Sequence, residues 1–403
     1  MGRRREELIE RARHVPKVRD LDENSLVVQK AAGSRLYDVD NVGYIDYVGS
    51  RGSAIVGYAN QYISDAVKKV LANGLPTGMH SPLEIDLAES LAHFLPWVGS
   101  WVFCRNQDDA MRRALDWACR ATGKNQILCL EGGERFDACP SAESGRVTPT
   151  LRRVPGWDVD KIEAAIAAGG SKLAAMVIDP VMSGAGVVPA PEGVVLEICD
   201  ACRRSGVVVV LDERVAGFRV ARGGGAERAG IVPDVAVYGG ALAGGLPLGA
   251  VAFAKAVDEP EADTWGADRD LPHPAALAAA DAVLSIIRNE SVFSRLDERA
   301  QQLVDGMRAL ADRFSRRLQL NQQGSVFALY CADAPVNGLA AAQAADGDAY
   351  HRLVDGLRAE GVYLPPKHQN PAFVSSAHGA KEIDESLAAF ERVLMRLHQE
   401  DLP

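Results

Sequence analysis

The sequence predicts an α/β protein built on a largely parallel sheet, with a smaller α+β lobe attached. Three observations predict it. Short apolar runs alternate with helical periodicity from about residue 101 to 289. One of those runs, Val207 to Val210, is β-branched throughout and suits a strand covered on both faces. Beyond Val292 the pattern changes to long charged helices with few strands between them. With 403 residues, 47% of them hydrophobic, the chain is long enough to bury a large core and a second, smaller one.

In chain order, residues 1–20 read as a helix and linker, and Leu36 to Val48 as two short strands around the Asp38 to Asn41 turn. Helical periodicity follows at Gln61 to Asn73 and Pro82 to Leu95. Strands are expected at 101–104, 126–130, 173–179, 207–212, 234–239 and 250–254. Helices are expected at Asp108 to Thr122, Val159 to Ala168, Pro191 to Ser205 and Pro274 to Asn289, which makes the intervening connections crossovers. In the C-terminal part, SVFALY and FVSSA read as strands, and the alanine-rich run Gly338 to Ala345 as a loop.

Charge and composition narrow the functional classes. The net charge is −10, and basic residues are scattered among acidic ones, so no footprint for nucleic acid or an anionic membrane surface appears. The N-terminal segment is charged and has no signal-peptide core, so a cytoplasmic protein is expected. Seven cysteines, without metal-ligand spacing, read as reduced thiols, and Cys199 and Cys202 as neighbours on a helix face.

The chain is organised around Val207 to Ala250. The buried strand ends in Asp212-Glu213, and a second strand, Asp234 to Tyr238, runs into Gly239, Gly240, Gly244, Gly245 and Gly249, a segment suited to close backbone approach. Asp212, Glu213, Gly217, Phe218 and Arg219, then Pro233-Asp234, then Gly244 to Ala250 together resemble the class III aminotransferases of fold type I, most closely the glutamate-1-semialdehyde 2,1-aminomutases. The resemblance runs from about Leu36 to Ala389. It implies a mostly parallel seven-stranded sheet in a large domain, residues 56–288, and a small α+β domain formed by both termini, residues 1–55 and 289–403. It also implies a homodimer and a pyridoxal phosphate (PLP) site.

At the positions of that site the chain departs from the family pattern. Gly240 stands where the family has its Schiff-base lysine. Asn106, Gln107 and Asp108 replace a Ser-Gly-Thr phosphate cup at a helix N-terminus, where Asp108 and Asp109 repel a phosphate by about 4 kcal/mol per charge pair at 4 Å and an effective dielectric near 20. Glu134 replaces a stacking ring, and Asp268-Arg269 a second phosphate contact. Only Asp212, the family's partner of the pyridine nitrogen, is kept.

The expectation from these departures is a protein that uses no cofactor. It would perform acid/base chemistry, such as dehydration, cyclisation, isomerisation or condensation, on a small anionic metabolite. Glu134, Asp212 and His273 are the candidate proton-transfer groups, and Arg51, Arg105, Arg135, Arg269 and Lys367 the candidate anion binders. Arg214 and Asp179 are placed at the rim of the same cleft. No metal is expected. Each residue also has a plainer reading: Asp212 as a hydrogen-bonded strand end, Glu134 and Arg135 as a solvated loop pair, the arginines as ion-pair partners, and His273 as a helix cap. Two other functions stand beside the first: a non-catalytic partner subunit of an active paralogue, and a lysine-free transaminase-like enzyme using PLP or its amine form, pyridoxamine phosphate (PMP).

Overall fold

Fourteen strands give three sheets in the computed structural model, which describes residues 3–13, 25–75, 78–133, 149–257 and 271–400. The strands are β1 (Val28–Ala32), β2 (Arg35–Asp38), β3 (Gly43–Asp46), β4 (Val98–Cys104), β5 (Gln126–Leu130), β6 (Thr150–Val154) and β7 (Leu173–Ile178). They continue as β8 (Val208–Asp212), β9 (Val235–Tyr238), β10 (Gly249–Ala254), β11 (Leu318–Gln323), β12 (Val326–Cys331), β13 (Val362–Tyr363) and β14 (Ala372–Phe373).

The central sheet has the order β4-β10-β9-β8-β7-β5-β6. Strands β6, β5, β7, β8 and β9 pair in parallel, and β10 runs antiparallel to both β9 and β4. The seven-stranded, mostly parallel sheet expected from the sequence is therefore present. Burial on both faces explains the unbroken apolar runs. Val210 packs with Ala114 and Trp117 of the helix Gln107–Thr122 on one face, while Val209 and Leu211 pack with Ile198 and Leu277 on the other. Cys199 and Cys202 lie buried on the helix Val194–Arg204, and burial pushes both thiols up to about 12.

Three details differ from the sequence expectation. Residues Leu339–Ala344 form a helix, because alanine, leucine and glutamine are strong helix formers even without a side-chain cap at Gly338. The helix expected from Pro191 starts at Val194, after Gly193 in the left-handed region. Edge strand β6, in which only Val154 is buried, has no apolar run to betray it. No described helix is long and apolar enough to cross a membrane.

A second core joins the two ends of the chain. Ile45 and Tyr47 pack with Leu303, Phe327, Leu357 and Phe390, and β3 pairs in parallel with β13. Where this core meets the large sheet stands Arg219, which is 2% exposed. Its Nε and Nη2 donate to the Gly52 carbonyl at 2.9 and 2.5 Å, and its Nη1 donates to the Val374 carbonyl at 3.1 Å and Ser325 Oγ at 3.3 Å. The guanidinium also lies 4.8 Å from the centre of the Phe373 ring. Arg219→Met preserves apolar bulk but leaves two buried carbonyls without donors, each worth about 1–3 kcal/mol. The urea midpoint should fall by the equivalent of about 3 kcal/mol, and an unchanged midpoint would refute the assignment of Arg219 as the junction.

Candidate functional site

In an open α/β sheet the ligand lies beyond the carboxyl ends of the parallel strands. Here that edge carries Asp179 after β7, Asp212 at the end of β8 and the glycines after β9. Asp212 terminates its strand by capping a short helix, Glu213–Ala216, and accepts the Arg214 amide at 3.1 Å. The turn of that helix carries the Arg214 side chain back over Asp212. Nε meets Oδ1 at 2.9 Å and Nη2 meets Oδ2 at 2.7 Å, while Nη1 reaches Asp108 at 3.2 Å. Only 1% of the Arg214 side chain and 2% of the Asp212 side chain are exposed, against 73% for Asp108. The result is a bidentate, desolvated pair tied at its outer end to the first turn of the helix Gln107–Thr122.

Two further carboxylates share this low-dielectric edge. Asp179 accepts Val181 N at 3.1 Å, Ser183 N at 2.8 Å and Ser183 Oγ at 2.6 Å, and burial, then the Asp212 charge, raises its pKa. Glu213 accepts the amides of Gly225 and Ala226, both at 2.9 Å. Burial raises it to about 7, although those two amides pull the other way.

The neighbouring helix N-terminus is internally satisfied. Asn106 Oδ1 accepts from Asp108 N at 3.1 Å and Asp109 N at 2.9 Å, and Asp109 pairs with Arg112 and Arg113. Gln107 Oε1 accepts the Gly240 amide at 3.0 Å. Gly240 has φ +44°, and a Cβ built there would run into the carbonyl oxygen of Arg214. This close approach of backbone to backbone is what the glycine supplies.

The residues expected to act divide unevenly. Glu134, Arg135, Asp268 and Arg269 lie outside the described residues. His273 caps its helix: its Nδ1 accepts Ala275 N at 3.2 Å, which leaves Nε2 as the ring nitrogen not engaged in the cap. Asp212 is not an open acid or base, because Arg214 engages both of its oxygens. Arg105 is exposed directly after β4, on the same sheet edge as Asp212, and Arg51 and Lys367 are exposed on other loops. The importance of Arg214 was missed, although an arginine two residues after a strand-end carboxylate, at the start of a helical turn, is a readable signal.

This arrangement of strand ends, with its central carboxylate, is that of the fold type I aminotransferases, and comparison with known proteins bears it out. A model of the aminotransferase class-III family matches residues 152–394, and the chain belongs to that family. It is 32% identical over 394 residues to the glutamate-1-semialdehyde 2,1-aminomutase of Desulfatibacillum aliphaticivorans, covering 92% of both chains. The Anaeromyxobacter sp. protein of the same name is 31% identical over 388 residues, covering 90% of this chain and 89% of that one. Among solved structures, an omega-transaminase from Sphaerobacter thermophilus superposes with a TM-score of 0.84 at 23% identity, covering 97% of each chain. A lysine-to-alanine variant of a Pseudomonas aeruginosa glutamate-1-semialdehyde aminomutase, in complex with PMP, gives 0.81 at 23% identity, covering 92% of this chain and 88% of that one.

These relatives correct the expectation of a cofactor-free enzyme with repurposed acid/base chemistry. They are named aminomutases, and the structural neighbours include proteins with PLP or PMP bound. The residues present suit such a cofactor in part. A buried carboxylate at the end of β8 suits a protonated ring nitrogen, although Arg214 competes for it in this structure. The amide-saturated first turn at Asn106 and the crowded backbone at Gly240 provide neither a ready phosphate cup nor room for a side-chain tether.

The raised Glu213 pKa has a consequence with a definite sign. A carboxyl whose folded pKa exceeds its unfolded value stabilises the fold fully below the unfolded value and loses that contribution as pH rises through the folded one. Between about pH 4.5 and 7 the wild type should therefore lose stability relative to Glu213→Gln, at no more than about 1.4 kcal/mol per pH unit. Urea unfolding of both proteins across this window tests it, and parallel stability curves would show that Glu213 does not titrate there.

Proposed function

We propose that the protein is a transaminase- or aminomutase-type enzyme that takes its cofactor as freely bound PMP or PLP, without a lysine tether, and acts on a small metabolite with an anionic group. The observation that carries this reading is the buried Asp212 at the end of the central strand, in a chain about a third identical to aminomutases. Bound at this edge, the cofactor would supply the electron sink that amino-group transfer requires. Asp212 would hold the ring nitrogen, and Asp179 and Glu213, both fixed by backbone amides, keep the floor beneath it rigid. Arg105, at the open end of the same edge, is the first candidate for the substrate's anionic group, with Arg51 and Lys367 as further ones. Gly240 offers no tether in this reading, and the carbonyl of Arg214 lies in the direction in which a side chain would leave the backbone there.

In this reading Arg214 is a competitor of the cofactor, because each oxygen of Asp212 is already bonded to it. Calorimetric titration with PMP should give saturable binding to the wild-type protein. Arg214→Ala should tighten it by about tenfold, the equivalent of one charge-assisted hydrogen bond released, and Asp212→Asn should weaken it. Borohydride treatment with PLP should leave no single lysine specifically modified. Absence of saturable binding in both the wild type and Arg214→Ala would overturn the proposal, as would stoichiometric modification of one lysine.

We further propose a homodimer, as is typical of the family. Supporting it, the helix Gln61–Ala72 has no buried residue, and Tyr62, Leu71, Met79 and Ile85 are 50–69% exposed in the single chain. Sedimentation should show a dimer that the double substitution Met79→Asp, Ile85→Asp converts to monomer. A wild-type monomer at all concentrations would refute it.

A further inference from the structure

The small C-terminal sheet carries a cavity of about 360 Å³ that shares no lining residue with the strand-end site. It opens where β11 begins and β12 ends, between the first turns of the helix Gly347–Ala359 and the last turns of the helix Ala380–Glu400. Its volume falls at the lower end of the range typical of small-molecule sites. One wall is apolar: Leu353 and Leu394 are 2% and 1% exposed, and Leu318 and Leu397 extend the same surface outward.

The other wall is cationic, with Arg316, Arg317 and Arg352 lining the cavity against the carboxylates Asp333 and Asp346. Both carboxylates already have other work. Asp333 pairs with the exposed Arg317, with Nε–Oδ1 and Nη1–Oδ2 both at 3.0 Å. Asp346 caps its helix by accepting Ala349 N at 2.9 Å. Arg352 makes no ion pair among the described residues, and Arg316 lines the same space beside Cys331. A half-apolar cavity with one guanidinium, that of Arg352, outside any ion pair recognises a molecule of matching polarity.

We infer that this cavity is a binding site for a small carboxylate with an apolar body, its head on Arg352 and its body along Leu318, Leu353, Leu394 and Leu397. The site is independent of the strand-end chemistry. It lies at the open end of the β11–β12 hairpin, where Leu318 faces Cys331, whereas the turn at Ser325 at the other end meets Arg219.

Octanoate is the probe, titrated calorimetrically into the full-length protein. Saturable binding is expected. Arg352→Gln, a change at an exposed position, should weaken it about tenfold, the equivalent of one hydrogen bond to a charged group. Leu397→Ser should weaken it as well, while acetate and 1-octanol should bind far less, one lacking the body and the other the charge. Asp212→Asn should leave octanoate affinity unchanged, so failure of the cofactor reading would not be mistaken for failure of this one. The inference is overturned if octanoate does not saturate, if Arg352→Gln binds it as well as the wild type, or if 1-octanol binds equally.

Discussion

The architecture depends on a single buried cation. Arg219 has its guanidinium in a desolvated junction and makes no ion pair among the described residues, so carbonyl dipoles and one hydroxyl must do the work of a counter-ion. Burial lowers its pKa to about 9, which still leaves it charged at neutral pH. Burying an uncompensated charge is costly, and the arrangement persists because its partners come from three separate parts of the chain. Gly52 belongs to the N-terminal segment, Ser325 to the β11–β12 turn and Val374 to the residues after β14. One side chain from the loop after the helix Glu213–Ala216 therefore ties these three segments together.

The strand-end site follows a different electrostatic logic. Asp179, Asp212 and Glu213 crowd one low-dielectric edge, where burial and then the Asp212 charge raise the pKa of Asp179 and Glu213. The fold relieves this in three ways. Asp179 receives hydrogen bonds from a tight turn, Glu213 sits on the amides of a short helix, and Asp212 has Arg214. The guanidinium is thus part of the charge balance that lets the edge fold without a bound partner, and it is also the group that any ligand of Asp212 must displace. Preorganisation of the floor and competition at its centre come from adjacent residues of one turn.

Much of this was legible in the sequence. The β-branched run at Val207 to Val210 and the alternation around it defined the sheet because burial on both faces leaves a continuous apolar signature. Asp212 was placed by the abrupt end of that run, and Gly240 by the glycine cluster after Tyr238. Hydrogen-bond commitments were harder to read. Nothing in residue spacing distinguishes an aspartate facing open space from one clasped by the arginine two residues on, since the difference lies in a side-chain rotamer within a helical turn. His273 is similar: a histidine before a proline suits a base or a cap, and spacing does not show that Nδ1 takes the cap bond. The cofactor expectation failed for another reason: it rested on the joint substitution of several cofactor contacts, whereas family membership follows from the whole chain.

The parallel pairing of β3 with β13 bears on how the protein is made. Ile45 meets Val362 in that ladder, about 320 residues later in the chain. At common translation rates the ribosome needs roughly 15–60 s to synthesise the intervening length. Throughout that interval the N-terminal strands have emerged but their partner does not exist, and Tyr47 has none of the core around Phe390 to enter. The large sheet is complete well before the lobe that its own leader segment must help to build. The nascent chain therefore carries an unfinished β edge through most of its synthesis, the state in which chaperone capture and off-pathway strand pairing compete with productive folding.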